Sequence, residues 1–143
     1  MNFLLDTCVV SELVRPAPSA AVTAWIDRCD ESTLYLSVLT LGELHKGIAR
    51  LPAGNRRNQL TQWVEHDLAE RFGGRILPVD ATVASVWGEL CGLAAVAGKP
   101  LPVIDSLLAA TSQTHRMTIA TRNVADFARC AIDCFNPWEY SPT

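Results

Sequence analysis

Three acidic residues stand at the starts of structural elements amid apolar neighbours. Asp6 directly follows Phe3-Leu4-Leu5, Glu43 lies in Thr40-Leu41-Gly42-Glu43-Leu44, and Asp105 lies in Pro102-Val103-Ile104-Asp105-Ser106-Leu107. A further polar set, Thr121, Asn123 and Asp126, follows the stretch that ends at Ala120. Each has a purely structural reading. Asp6 suits a helix N-cap, Thr40 and Glu43 match a capping box, and Asp105 complements the positive end of a helix. Asp126 reads equally as a solvated turn residue. Together they read differently. Carboxylates ~5 Å apart at an effective dielectric of about 20 repel by roughly 3 kcal/mol per pair, so a cluster needs protons or a cation. All-oxygen ligands suit a hard ion such as Mg²⁺ or Mn²⁺. Held in a cleft, such an ion can activate water and stabilise the leaving oxygen of a phosphodiester.

The elements that must position these groups follow from the hydrophobic pattern. Phe3-Leu4-Leu5 reads as a strand buried on both faces, with Asp6 at its carboxyl end and a helix from Thr7. In an open parallel sheet, ligands bind beyond the carboxyl ends of the strands. After the breaker Pro16-Ala17-Pro18-Ser19, Val22, Trp25 and Ile26 mark an amphipathic helix to about Arg28. Leu34 to Val38 reads as the second strand. A helix runs from Thr40 to about Leu51, Pro52-Ala53-Gly54-Asn55 breaks it, and a longer one spans Arg56 to Phe72, with Leu60, Trp63, Val64 and Leu68 as its core stripe. Gly73-Gly74 closes it.

Ile76 to Val79 is the third strand, Ala81 to Val96 a helix, and Val103 to His115 another, with Ile104, Leu107, Leu108 and Thr111 inward. Met117 to Ala120 is a strand, Asn123 to Phe127 one helical turn, and Ala131-Ile132 the last strand. Strands alternating with helices predict an α/β fold, a parallel sheet wrapped by helices through right-handed crossovers. The two helices between Thr40 and Phe72 have no strand between them. They form an inserted αα-hairpin, a natural place for a partner surface.

Composition sets the bounds. At 143 residues the chain fits one domain, residues 1–143, and 49% hydrophobic with 19% charged residues describes a folded protein. No uncharged run approaches the roughly 18 apolar residues of a membrane span, and no basic n-region of a secretory signal opens the chain. The five cysteines have neither zinc-type spacing nor an even count, which points to small buried thiols in a reducing cytoplasm. The net charge of −3 argues against broad nonspecific nucleic-acid binding. Ten of the cations are Arg, the better bidentate partner for phosphate; Lys46, Arg50, Arg56 and Arg57 cluster.

Taken in order, Leu5-Asp6-Thr7, Ser11-Glu12-Leu13, Glu43-Leu44-x-x-Gly47, Asp105 with Ala109-Ala110-Thr111, Ala120-Thr121-Arg122-Asn123 and Phe135-Asn136-Pro137-Trp138 resemble the PIN-domain ribonuclease toxins of the VapC/FitB type. The resemblance spans essentially the whole chain. It implies a PIN-like three-layer α/β/α sandwich and a Mg²⁺- or Mn²⁺-dependent endoribonuclease, the toxin of a bacterial type II toxin–antitoxin pair. It also implies RNA as substrate, a small antitoxin that binds operator DNA, and a homodimer or larger assembly with that antitoxin. Asp6, Glu43 and Asp105 match the family's acidic positions, with Asp6 and Asp105 as metal ligands; Thr121 matches a threonine lining the site. Two positions depart. Cys8 stands where the family commonly has Asn, and Asn123 where a fourth acid is common. Asn123 is expected to line the site, and Asp126, one turn on, is the other candidate.

Two further readings compete with this one. A haloacid-dehalogenase-type phosphotransferase also begins strand-Asp, but wants a second Asp two residues later, where Cys8 stands. A noncatalytic PIN-fold binding module, acting through its DNA-binding partner, is the other alternative.

Overall fold

Alternation along the first strand decides the layering of the molecule, a computed structural model that describes residues 1–142. In β1 (Phe3–Leu5), Leu4 points to one face of the sheet and Phe3 and Leu5 to the other. Five strands pair in parallel in the order β3-β2-β1-β4-β5: β2 is Leu34–Ser37, β3 Ile76–Leu77, β4 Thr118–Ala120 and β5 Cys134–Phe135. The result is the expected α/β sandwich with β1 at its centre.

One face carries the larger core. Leu5, Leu34 and Leu36 pack there against Val9 and Val10 of α1 (Thr7–Glu12), Val22, Trp25 and Ile26 of α2 (Ala20–Arg28), and Leu44 and Ile48 of α3 (Val38–Ala49). The hairpin is completed by α4 (Asn55–Gln62), a wider π-type turn over Trp63–Leu68, and α5 (Ala69–Arg71). No strand interrupts the passage from α3 to α5, as the pattern predicts. The π turn was not legible. Val64, Leu68 and Phe72 are all buried along this stretch.

The other face is smaller. Leu4 and Ile119 meet Leu108 of α7 (Val103–His115) and Phe127 of α8 (Val124–Ala128). Against α7 lies α6 (Ala81–Val96), capped by Asp80, whose carboxylate accepts the Val83 N–H at 3.0 Å. Ile104, expected inward, is exposed together with Val103 in the first turn of α7. Among the described residues no helix is long and apolar enough to cross a membrane.

Several boundaries differ from expectation, β3 ending at Leu77 and not Val79 among them, and two of the differences have a local reason. The last strand is Cys134–Phe135 and not Ala131-Ile132: Ala131 has φ 54, a left-handed turn that delays the strand. The Ile119 N–H then bonds the Asp133 carbonyl at 3.0 Å, fixing the later register. The start of α3 is also earlier than Thr40. Ser37 is the N-cap of α3 and its hydroxyl accepts the Leu39 N–H at 3.0 Å. Thr40 is therefore interior and wholly buried, and the Thr40–Glu43 capping box does not form. A 3-10 turn at Pro137–Glu139, capped by Asn136, closes the chain against α2.

Candidate active site

The carboxyl edge of the parallel sheet gathers the polar residues that the sequence marks. Asp6 ends β1 and is only 8% exposed. One oxygen, Oδ1, accepts the Thr7 N–H at 2.8 Å, so Asp6 does cap α1. The other, Oδ2, is held from across the sheet by the Thr121 hydroxyl, which donates at 2.8 Å from the end of β4. Capping and site roles are thus compatible, because they use different oxygens. Thr121 is itself pinned, accepting the Asn123 N–H at 3.0 Å.

Glu43 is freed by the missing capping box. Its Oε1 accepts the Thr7 hydroxyl at 2.6 Å, so the residue after Asp6 ties α1 to the second turn of α3. Thr7 was not singled out by sequence reasoning; a hydroxyl placed directly after the strand-end acid was the available signal. Cys8 also contributes. Its Sγ lies 3.8 Å from both Asp6 Oδ2 and Thr121 Oγ1. Burial pushes the Cys8 thiol above its ordinary pKa, the backbone N–H of Arg122 pulls it down, and the Asp6 charge raises it again. It remains a thiol at neutral pH, a weak donor and not a nucleophile.

Asp105 sits in the first turn of α7, half-buried. Burial lifts its carboxyl above the usual aspartate range, and the nearby charges of Asp6, Asp126 and Glu43 lift it further. Four acids therefore share one region. Asn123 and Asp126 are both exposed. Asn123 occupies the N-cap position of α8 without a side-chain cap bond, whereas the Asp126 charge is felt at Asp105.

The donors are oxygens, and the Cys8 thiol beside Asp6 is protonated, which fits a hard divalent cation better than zinc. The acids surround the strand ends without forming a closed cage. Among the described residues no three His, Cys, Asp or Glu side chains stand close enough together to hold an ion. An arriving cation would have to draw the carboxylates inward against their mutual repulsion.

Beside Glu43, on the β2 side, a groove of about 450 Å³ runs between α1, α3 and α4. Leu44, Ile48, Leu60 and Trp63 make its floor, and Arg15 and Arg56 stand on its wall.

Comparison with known proteins agrees with this geometry. The family model for the PIN domain matches residues 3–132. The chain belongs to the PIN-domain family. Among relatives of this PIN domain, Toxin FitB of Neisseria gonorrhoeae is 39% identical over 135 residues, covering 94% of this chain and 97% of FitB. A VapC ribonuclease of Sinorhizobium fredii is 39% identical over 136 residues, 95% of this chain and 97% of its own length. The structure of FitAB bound to a DNA fragment superposes with a TM-score of 0.88 at 38% identity, covering 98% of each chain.

Proposed function

We propose that this single-domain chain is the toxin of a type II toxin–antitoxin pair, a Mg²⁺- or Mn²⁺-dependent endoribonuclease that hydrolyses phosphodiester bonds in RNA. The observation that carries the reading is the Asp6–Thr121 and Thr7–Glu43 pair of hydrogen bonds, which hold two acids at the sheet edge beside Asp105. The names of the FitB and VapC relatives support the toxin and nuclease classes.

Asp6 and Asp105 are the ligands, and Asn123 or Asp126 lines the fourth side. When bound there, the divalent ion supplies positive charge to the water and to the phosphodiester. The chain's own work is positional. Thr121 fixes one oxygen of Asp6, and Thr7 fixes Glu43, leaving its second oxygen to orient the attacking water and take its proton. In the cytoplasm, the antitoxin would cover the apolar groove between α1, α3 and α4, and its other end would bind operator DNA. The toxin forms a homodimer, and with the antitoxin a heterotetramer or larger, through a surface other than that groove.

The test is cleavage of cellular RNA by the purified chain with Mg²⁺ or Mn²⁺, read by sequencing the new ends. Either ion should raise thermal stability by relieving carboxylate repulsion. Asp6→Asn should cost several kcal/mol of charge stabilisation, roughly a thousandfold in rate, with the fold intact. Cleavage that persists in excess EDTA would exclude the metal-dependent reading and favour a different hydrolytic site. RNA left intact under every metal condition would favour the noncatalytic module.

A further inference from the structure

Arg122 is the next residue after Thr121, and so leaves the sheet at the end of β4 beside Asp6. Its guanidinium lies 5.0 Å from the ring centroid of Trp138, in the 3-10 turn that follows β5. That turn is set by Asn136, whose side-chain oxygen accepts the Trp138 N–H at 2.9 Å. The indole is partly buried against the larger core, so it is a fixed platform. The arginine itself is exposed.

Among the described residues, Arg122 is the one arginine that lies over an aromatic ring and makes no ion pair. Arg15 pairs with Glu12, and Arg71 and Arg75 pair with Glu31. Among the described residues no carboxylate lies within ion-pair distance of Arg122. A guanidinium that is held by an aromatic face keeps its in-plane N–H donors free, and those donors match the oxygens of a phosphodiester. The need for such a cation is plain. Four acids share this edge of a chain of net charge −3, and a polyanion must approach them. The apolar groove lies beyond Glu43 on the β2 side of β1, whereas Arg122 stands on the β4 side. Its place therefore favours the substrate over a partner seated in the groove.

We propose that Arg122, held against Trp138, is a substrate-binding residue that engages an RNA phosphodiester on the β4–β5 side of the acidic cleft. The inference rests on the ribonuclease reading and adds to it the residue that holds the strand. A purely structural role, in which Arg122 only covers the indole, is the competing explanation.

The experiment measures anisotropy of a fluorescein-labelled single-stranded RNA oligonucleotide of mixed sequence. The full chain is used in an Asp6→Asn background, so that RNA is bound and not cut. Arg122→Gln should weaken binding about tenfold, the value of one charge-assisted contact. It should also reduce the slope of log affinity against log salt by about 0.7, the loss of one single-strand phosphate contact. Trp138→Leu keeps the charge and frees it, so it should weaken binding while leaving that slope in place. In the chain that retains Asp6, Arg122→Gln should raise KM and preserve kcat, and Arg122→Lys should recover part of the loss. The inference is overturned if Arg122→Gln leaves affinity and salt slope unchanged. It is equally overturned if Trp138→Leu binds like its parent, or if Arg122→Gln loosens only the antitoxin. Absence of RNA cleavage by the unaltered chain would instead count against the nuclease reading, and binding would still be measured separately.

Discussion

At the residue scale, the two oxygens of Asp6 have separate duties. Oδ1 holds the start of α1, and Oδ2 receives the Thr121 hydroxyl. Thr121→Val keeps the shape of that wholly buried side chain and removes the donor. It is expected to lower RNA cleavage about 10- to 100-fold through misplacement of Asp6, in line with the loss of an orienting contact behind a metal ligand. A titration of Mn²⁺ by calorimetry would show the same loss as weaker binding. Asp105 makes the complementary case. Its pKa is raised by burial and then by the charges of Asp6, Asp126 and Glu43, so its ionised form opposes folding. The sign is that of a raised carboxyl: the penalty is absent below the ordinary aspartate value of about 3.9 and grows as pH rises through the higher folded value. Asp105→Asn should therefore melt higher than the parent at pH 7 in EDTA. That advantage should vanish near pH 3, while cleavage is lost at neutral pH. Melting curves at the two pH values check the sign.

At the scale of elements, charged side chains tie the end of the hairpin to the start of β2. Glu31, in the 3-10 turn Glu31–Thr33 before β2, meets Arg71 and Arg75 at 3.0 Å each. Both guanidinium groups also lie over the Phe72 ring, at 5.5 Å and 5.0 Å. These contacts join the end of α5 to the start of β2, where the Leu36 N–H bonds the Arg75 carbonyl at 3.0 Å in the register Leu36↔Ile76. Burial pushes the Glu31 carboxyl up, but the hydrogen bonds and charges of the two arginines outweigh it and leave its pKa below the ordinary value. Such a depressed carboxyl contributes stability above the unfolded pKa of about 4.5 and loses it as pH falls through the lower folded value. The Glu31 side chain is 48% exposed, so the contribution is under about 1 kcal/mol. Glu31→Gln should be less stable than the parent at pH 7 by that small margin, and the two chemical-denaturation midpoints should converge near pH 3.

For the whole molecule, charge is distributed against the grain of its proposed substrate. The chain is net negative, yet Arg56 lines the groove wall and Arg57 is half-buried next to it at the start of α4. A double charge reversal, Arg56→Glu with Arg57→Glu, should weaken RNA engagement severalfold at low salt and much less at high salt, because screening shortens such interactions to about 8 Å at physiological ionic strength. The measurement is affinity across a salt series. An effect that does not change with salt would mean that the two arginines act only through packing of α4.

The amino-acid sequence alone determined the layers and the acids. Apolar runs of three or four residues followed by amphipathic helices leave few ways to bury both faces of β1, β2 and β4, and they place Asp6 at a strand end by simple adjacency. The hairpin was legible for the same reason, since two helical patterns met without a strand between them. What the sequence could not decide was which groups touch. Thr121 reaches Asp6 across 115 positions, and Thr7 reaches Glu43 across 36, by bonds that no local period encodes. The same limit hid the platform beneath Arg122, because β4 and β5 become neighbours only through the register Ala120↔Phe135. Local conformation misled twice, at Ala131, where a left-handed residue postponed β5, and at Thr40, where Ser37 took the cap first. Periodicity reports what is buried; contact between distant strand ends is fixed only when the sheet closes its pairing.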